Sequence, residues 1–332
     1  MQGREHLCSR LSRQREPGDH DRVEGLPLEQ GRAIAEVSRL ARGRHWQDAL
    51  LLLGSVPDPV PKLQAAALDA CAKALELGQA QQLFDQMKEK TVPAFNIMIN
   101  LHGRLKKVHV AEELLLRMRE GQLKPTAVTH GCMINAYGMT HDSGAVMRVL
   151  EEMQREGLRL TEVTFGSAIA AVARGGDKTL VGELLARMED CALQPGLGHL
   201  TSAITSCAIS KDETRARAAF EEIRRRGHRP DLVAYTSLLA CLPGTPEGLA
   251  GAEALVAEMR GEGISADTFI YNQLVSIAIE AGRTERARAL LGEMEAAGLP
   301  PSRETRMRVG QLEAAERQAA LRAPAPAASG AA

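Results

Sequence analysis

Aromatic side chains are scarce in this 332-residue chain: one Trp, three Tyr and five Phe make up 3% of it. Large β-sheet cores draw on aromatic and β-branched residues, so this composition excludes most sheet architectures and fits an all-helical protein built from small residues. Charge of one sign is equally lacking, since 41 basic residues stand against 42 acidic ones and the formal net charge is −1. No global field draws such a chain onto nucleic acid or an anionic membrane, so any polyanion binding must be local. Long apolar runs are missing too, none approaching the ~18 residues of a membrane span. The six cysteines (Cys8, Cys71, Cys132, Cys191, Cys207, Cys241) include no C-x-x-C pair. Their spacing suits neither a zinc site nor a disulfide framework, and they read as reduced thiols, mostly in the core.

Catalytic signatures are absent as well. There is no H-x-E with C-x-x-C deaminase pattern and no metallonuclease-like carboxylate cluster. His102, His109, His130 and His141 lie close in sequence but occupy different phases of the pattern described next, which argues against a shared metal. No enzyme, cofactor, metal or small-molecule substrate is expected.

What the chain does contain is a period. Met87, Met118, Met153, Met188, Ile223, Met259 and Met294 follow at intervals of 31, 35, 35, 35, 36 and 35 residues, each ending an apolar-periodic run such as AEELLLRM. Gly157, Gly227, Gly263 and Gly298 stand four residues after their Met or Ile, and Pro125, Pro195, Pro230 and Pro301 seven after. Glycine takes the left-handed conformation that closes a helix, and proline forbids its continuation, so this column marks helix ends. About ten residues on, the chain turns apolar again, as in FNIMINLHG and YTSLLACL.

Each unit is therefore helix, turn, helix, loop. Two such helices cannot bury their apolar faces alone, so neighbouring units must stack into an α-solenoid. The expected repeats are 30–60, 61–91, 92–126, 127–161, 162–196, 197–231, 232–267 (one residue longer, near PGTPEG) and 268–302. Residues 303–322 read as a capping helix and 323–332, APAPAASGAA, as a disordered tail. Residues 1–29 read as a poorly ordered extension; they are Arg-rich but carry Glu5, Glu16, Asp19 and Asp21, which makes a poor transit peptide.

The period and the columns discriminate among helical-pair families. Tetratricopeptide units run to 34 residues and have a small residue where this chain has its Met. The segments AFNIMI (94–99), VTFGSAI (163–169), VAYTSLL (233–239), IYNQLV (270–275), QQLFDQM (81–87) and RAAFEEIRRRGHRPD (217–231) instead resemble the pentatricopeptide repeat over residues 30–302. The resemblance implies a right-handed superhelix that binds single-stranded RNA, one base per repeat.

On that resemblance, the second residue of each first helix wedges between bases: Pro93, Val128, Val163, Gly198, Val233 and Phe269, of which Gly198 offers little surface. The residue three further on reads a base edge together with the last residue of the repeat. The implied pairs are Asn96 with Thr126, Gly131 with Thr161, Gly166 with Gly196, Thr201 with Asp231, Thr236 with Asp267, and Asn272 with Ser302. In the family's code these give pyrimidine, any, any, G, G, C from 5′ to 3′, because glycine has no reading group. Arg104, Arg174 and Lys211 fall where they would meet phosphates.

Two functions follow. One is non-catalytic RNA binding in organellar RNA processing, stability or translation, in a mitochondrion or chloroplast, alongside other RNA-processing proteins. The alternative is a helical-repeat scaffold for protein partners. The basic run Arg224–Arg226 reads as the solvated end of a second helix rather than an RNA patch.

Overall fold

The computed structural model describes residues 28–322. The expected tail at 323–332, and the N-terminal extension apart from Leu28 and Glu29, lie outside the described residues. The chain divides at Ala171/Val172 into two compact units. The first holds α1 (Leu28–Arg42), α2 (Trp46–Ser55), α3 (Pro61–Ala74), α4 (Leu77–Gln86), α5 (Val92–Arg104), α6 (Val108–Glu120), α7 (Ala127–Met139), α8 (Ser143–Arg155) and most of α9 (Glu162–Arg174). The second holds the end of α9, α10 (Lys178–Asp190), α11 (Leu197–Ile209), α12 (Glu213–Arg225), α13 (Leu232–Cys241), α14 (Pro246–Gly261), α15 (Thr268–Glu280), α16 (Thr284–Ala296) and α17 (Arg303–Arg322). Among the described residues there is no strand, and each unit is a solenoid of helix pairs.

First helices lie along one another: α1, α3, α5 and α7 in one unit, α11, α13, α15 and α17 in the other. The periodic Met and Ile residues are what the pairs close upon. Met87, Met118, Met153, Met188, Ile223, Met259 and Met294 are all buried, as an unbranched, adaptable side chain at a helix junction should be. Where first helices approach most closely the side chain disappears. A Cβ on Gly103 of α5 would lie 2.6 Å from the Ala136 Cβ of α7.

Six second helices end in one repeated motif. The N–H five residues after the periodic residue donates to its carbonyl: Leu123 to Met118, Leu158 to Met153, Leu193 to Met188, His228 to Ile223, Ile264 to Met259 and Leu299 to Met294, at 2.8–3.1 Å. The residue between has positive φ, at Gly157, Gly227, Gly263 and Gly298 but also at Gln122 and Ala192 (both 58°). The turn inside each pair repeats a left-handed residue too, at Lys106, His141, Gly176 and Lys211. In three of these pairs the following helix is then capped by a carboxylate: Asp142, Asp177 and Asp212 accept the N–H of Ala145, Leu180 and Arg215 at 2.8, 3.0 and 3.1 Å. The 232–267 pair departs from this. Its first helix stops at Cys241, and Thr245 caps a longer second helix through the Gly248 N–H at 3.1 Å.

One expectation changes, and the cysteines stand mostly in the core as expected. Arg224–Arg226 are not simply solvated: Arg226 pairs with Glu189 and Glu222 and donates to Gln194 at 3.0 Å, while Arg224 pairs with Glu258 and lies 4.9 Å from the Phe220 ring centre. The run ties its repeat to the repeats on both sides. Of the cysteines, Cys71, Cys207 and Cys241 are buried, but Cys132 is half-buried and Cys191 exposed at the end of α10, and Cys8 lies outside the described residues.

Candidate nucleic-acid interface

The second residue of the first helices has no work in the fold. Val128, Val163, Val233 and Phe269 are 64%, 78%, 53% and 51% exposed, although the residue that follows each of them, Thr129, Thr164, Ala234 and Ile270, is buried. Isolated exposed apolar residues are ordinary. Four at one register position of a repeat require an explanation other than packing.

The repeat-terminal residues have a second role that the sequence analysis missed, because each is the N-cap of the next first helix. Asp231 Oδ1 accepts the Ala234 N–H at 2.8 Å and Asp267 Oδ1 the Ile270 N–H at 3.0 Å. Ser302 accepts the Thr305 N–H at 3.0 Å, and Thr126 accepts that of Thr129 at 3.4 Å while Thr129 returns a bond to the Thr126 N–H. The signal was available: Ser, Thr or Asp directly before an apolar helix start is a capping pattern. A carboxylate caps with one oxygen and keeps the other, whereas the Thr126 hydroxyl is occupied by Thr129.

The first-helix partners are not alike. Thr236 is half-buried and donates to the Val233 carbonyl at 2.9 Å. Asn96 and Thr201 are buried rather than open to a groove, and their Oδ1 and Oγ1 have no protein partner. Asn272 is half-buried, and its Oδ1 accepts from the Thr305 hydroxyl at 2.7 Å and the Ser302 N–H at 3.4 Å. That fixes the carboxamide with its NH₂ group as the end left to donate. Asn272, Ser302 and Phe269 line one recess of about 180 Å³ with Gln273, Thr305 and Arg308.

Two of the three expected phosphate contacts are already engaged. Arg104 donates to the Ala72 carbonyl at 3.4 Å, and Lys211 sits in the left-handed turn with its Nζ on the Ala240 carbonyl at 2.6 Å. Arg174 is exposed at the end of α9. Among the described residues no group of His, Cys, Asp and Glu is arranged to hold a metal, and no helix is long and apolar enough to cross a membrane.

Residues 90–139 match the PPR repeat family, 148–200 and 254–305 the pentatricopeptide repeat domain, and 66–92 and 128–158 the PPR repeat, together more than half of the chain. The chain belongs to the pentatricopeptide repeat family. A pentatricopeptide repeat-containing protein of Arabidopsis thaliana is 30% identical over 90 residues, 27% of this chain and 16% of that protein. The fold is similar to that of the pentatricopeptide repeat protein PPR10 from maize, with a TM-score of 0.62 at 19% identity over 87% of this chain and 44% of that one. It is also similar to PPR10 in complex with an 18-nt psaJ RNA element, with a TM-score of 0.55 at 18% identity over 90% and 49% of the two chains. The chain thus spans less than half the length of these pentatricopeptide relatives, and at such identity the likeness is one of fold.

Proposed function

We propose that this protein is a non-catalytic binder of single-stranded RNA whose repeats each meet one base, acting in organellar RNA processing, stability or translation. The observation that carries the reading is the register of exposed apolar side chains at Val128, Val163, Val233 and Phe269. Flat bases stack on such surfaces without regard to sequence, and base–side-chain stacking is worth ~1–3 kcal/mol where the side chain is aromatic. Family membership, and the RNA element bound to maize PPR10, support it.

Base choice rests on polar atoms left over after capping. Asp231 and Asp267 each keep one carboxylate oxygen, an acceptor suited to the amino edge of guanine. Asn272 keeps its NH₂ group, a donor suited to a cytosine acceptor. These three leftover groups, in the repeats that pair Thr201 with Asp231, Thr236 with Asp267 and Asn272 with Ser302, give G, G, C in the order of the chain, read through Asp231, Asp267 and Asn272. Gly131 and Gly166 contribute no reading atom.

Selection from a randomised single-stranded RNA pool at stated salt tests the proposal, with enrichment of a GGC core expected. No enrichment, together with a tightly co-purifying protein, favours the scaffold reading. Asp231→Asn sharpens the test, since Asn caps a helix about as well as Asp and stability should barely change. The amide donates where the carboxylate only accepts, so preference at one nucleotide should move from G toward A. Equal weakening on every RNA would remove Asp231 from base reading.

A further inference from the structure

Helix α17 enters the fold as a first helix does but carries different chemistry. Ser302 caps it as Asp267 caps α15, both through a 3.0 Å bond from the third residue of the helix. It packs on α15 as α15 packs on α13. Counted from these caps, the second and fifth residues are Val233 and Thr236 in α13, Phe269 and Asn272 in α15, and Glu304 and Met307 in α17. Glu304 and Met307 are both exposed, Met307 at 55%. The wedge position thus holds a carboxylate, and the reading position a thioether.

Neither can serve a base in that way. A carboxylate inserted between bases loses its water without gaining a partner. Methionine sulfur is a weak acceptor and donates nothing to a base edge. Glu304 lines the same recess as Phe269, Asn272 and Ser302, so the change of chemistry falls directly beside the last complete reading pair. Arg308 is held by the Ser276 hydroxyl at 2.7 Å and by Glu280 at 3.3 Å, bracing α17 against α15.

We infer, on the RNA reading above, that α17 is a built-in stop: the Phe269–Asn272–Ser302 slot takes the last base of the run selected by the repeats before α17, and Glu304 and Met307 set that limit. Arg303 and Arg306 stand on either side of Glu304 and Thr305, so the strand is not barred by charge from passing. What ends there is stacking and selection, not passage.

The test uses the full chain and oligoribonucleotides ending at their 3′ side in GGC, compared with the same RNAs extended by one A, C, G or U. Wild-type affinity should change by less than about twofold on extension, whichever base is added. Glu304→Val with Met307→Asn restores a wedge and a reader, and should gain about fivefold or more for at least one added base, the fold-change of one stacking contact of ~1 kcal/mol. A base-dependent gain of that size in the wild type overturns the stop. So does a folded double variant, with unchanged affinity for the GGC-ending RNA, that gains nothing from any extension. Failure of the wild type to bind any of these RNAs overturns the RNA reading, and the stop with it.

Discussion

Single residues here often answer two demands, and the atoms left over decide what they can do. Asp231 closes α13 with one oxygen and retains a second, while Thr126 spends its hydroxyl within a reciprocal cap; the same position is therefore available for recognition in one repeat and not in the other. The cysteines divide by surroundings in the same way. Burial pushes the Cys71 thiol up to about 11 and that of Cys241 up to about 12, so neither carries appreciable thiolate at neutral pH. Cys132 is likewise pushed up to about 11, whereas Cys191 is exposed. A brief pulse of an alkylating reagent at neutral pH should modify Cys191 at least about tenfold faster than Cys71 or Cys241, read by peptide mass spectrometry. Equal labelling would mean that the core opens readily.

Among elements, the helix ends carry more information than the helix bodies. A common closing motif requires a left-handed residue four positions after each periodic Met or Ile from Met118 to Met294, and glycine supplies it in four repeats. Gln122 and Ala192 hold the same conformation against a Cβ penalty of about 1–2 kcal/mol. Part of that is offset because glycine loses more chain entropy on folding. Ala192→Gly, at an exposed site, should therefore stabilise the protein by roughly 0.5–1 kcal/mol in urea denaturation with unchanged m-value. Destabilisation would show that this turn is not under strain. The 232–267 pair closes with the same motif at Gly263 but lacks a left-handed residue in the turn between its two helices, where α13 is shortened to 10 residues and Thr245 starts the next helix.

For the whole chain, near-neutrality comes from 41 basic residues set against 42 acidic ones, several of which pair between repeats. Arg119 pairs with Glu152 and Glu156, Lys178 with Asp212 at 2.6 Å, Arg224 with Glu258, and Arg286 with Glu253, each joining one repeat to another. Such pairs contribute little singly at the surface, but they consume the basic groups that a phosphate backbone would otherwise meet. With Arg104 and Lys211 also engaged, RNA affinity should depend only weakly on salt. Three free phosphate contacts would give a slope of about −2 in log K against log salt; the expected slope is shallower, and filter binding over a salt series measures it. A steeper slope would place basic groups outside these pairs at the interface.

The architecture was legible in the sequence because a repeat writes each of its packing requirements several times. One Met is a guess, whereas seven periodic residues, with glycines and prolines at constant offsets, leave only a stack of helix pairs. The shared register of Val128, Val163, Val233 and Phe269 was legible for the same reason. What only the tertiary structure decided is where each polar side chain spends its hydrogen bonds: that Asn96 and Thr201 are buried, that Arg224 and Arg226 reach into adjoining repeats, and that the Asn272 side-chain carbonyl is taken by Ser302 and Thr305. Period along a chain determines which face of a helix is apolar. The partner of a donor or acceptor depends on which neighbour comes within about 3 Å of it, and that distance is set only when the repeats pack.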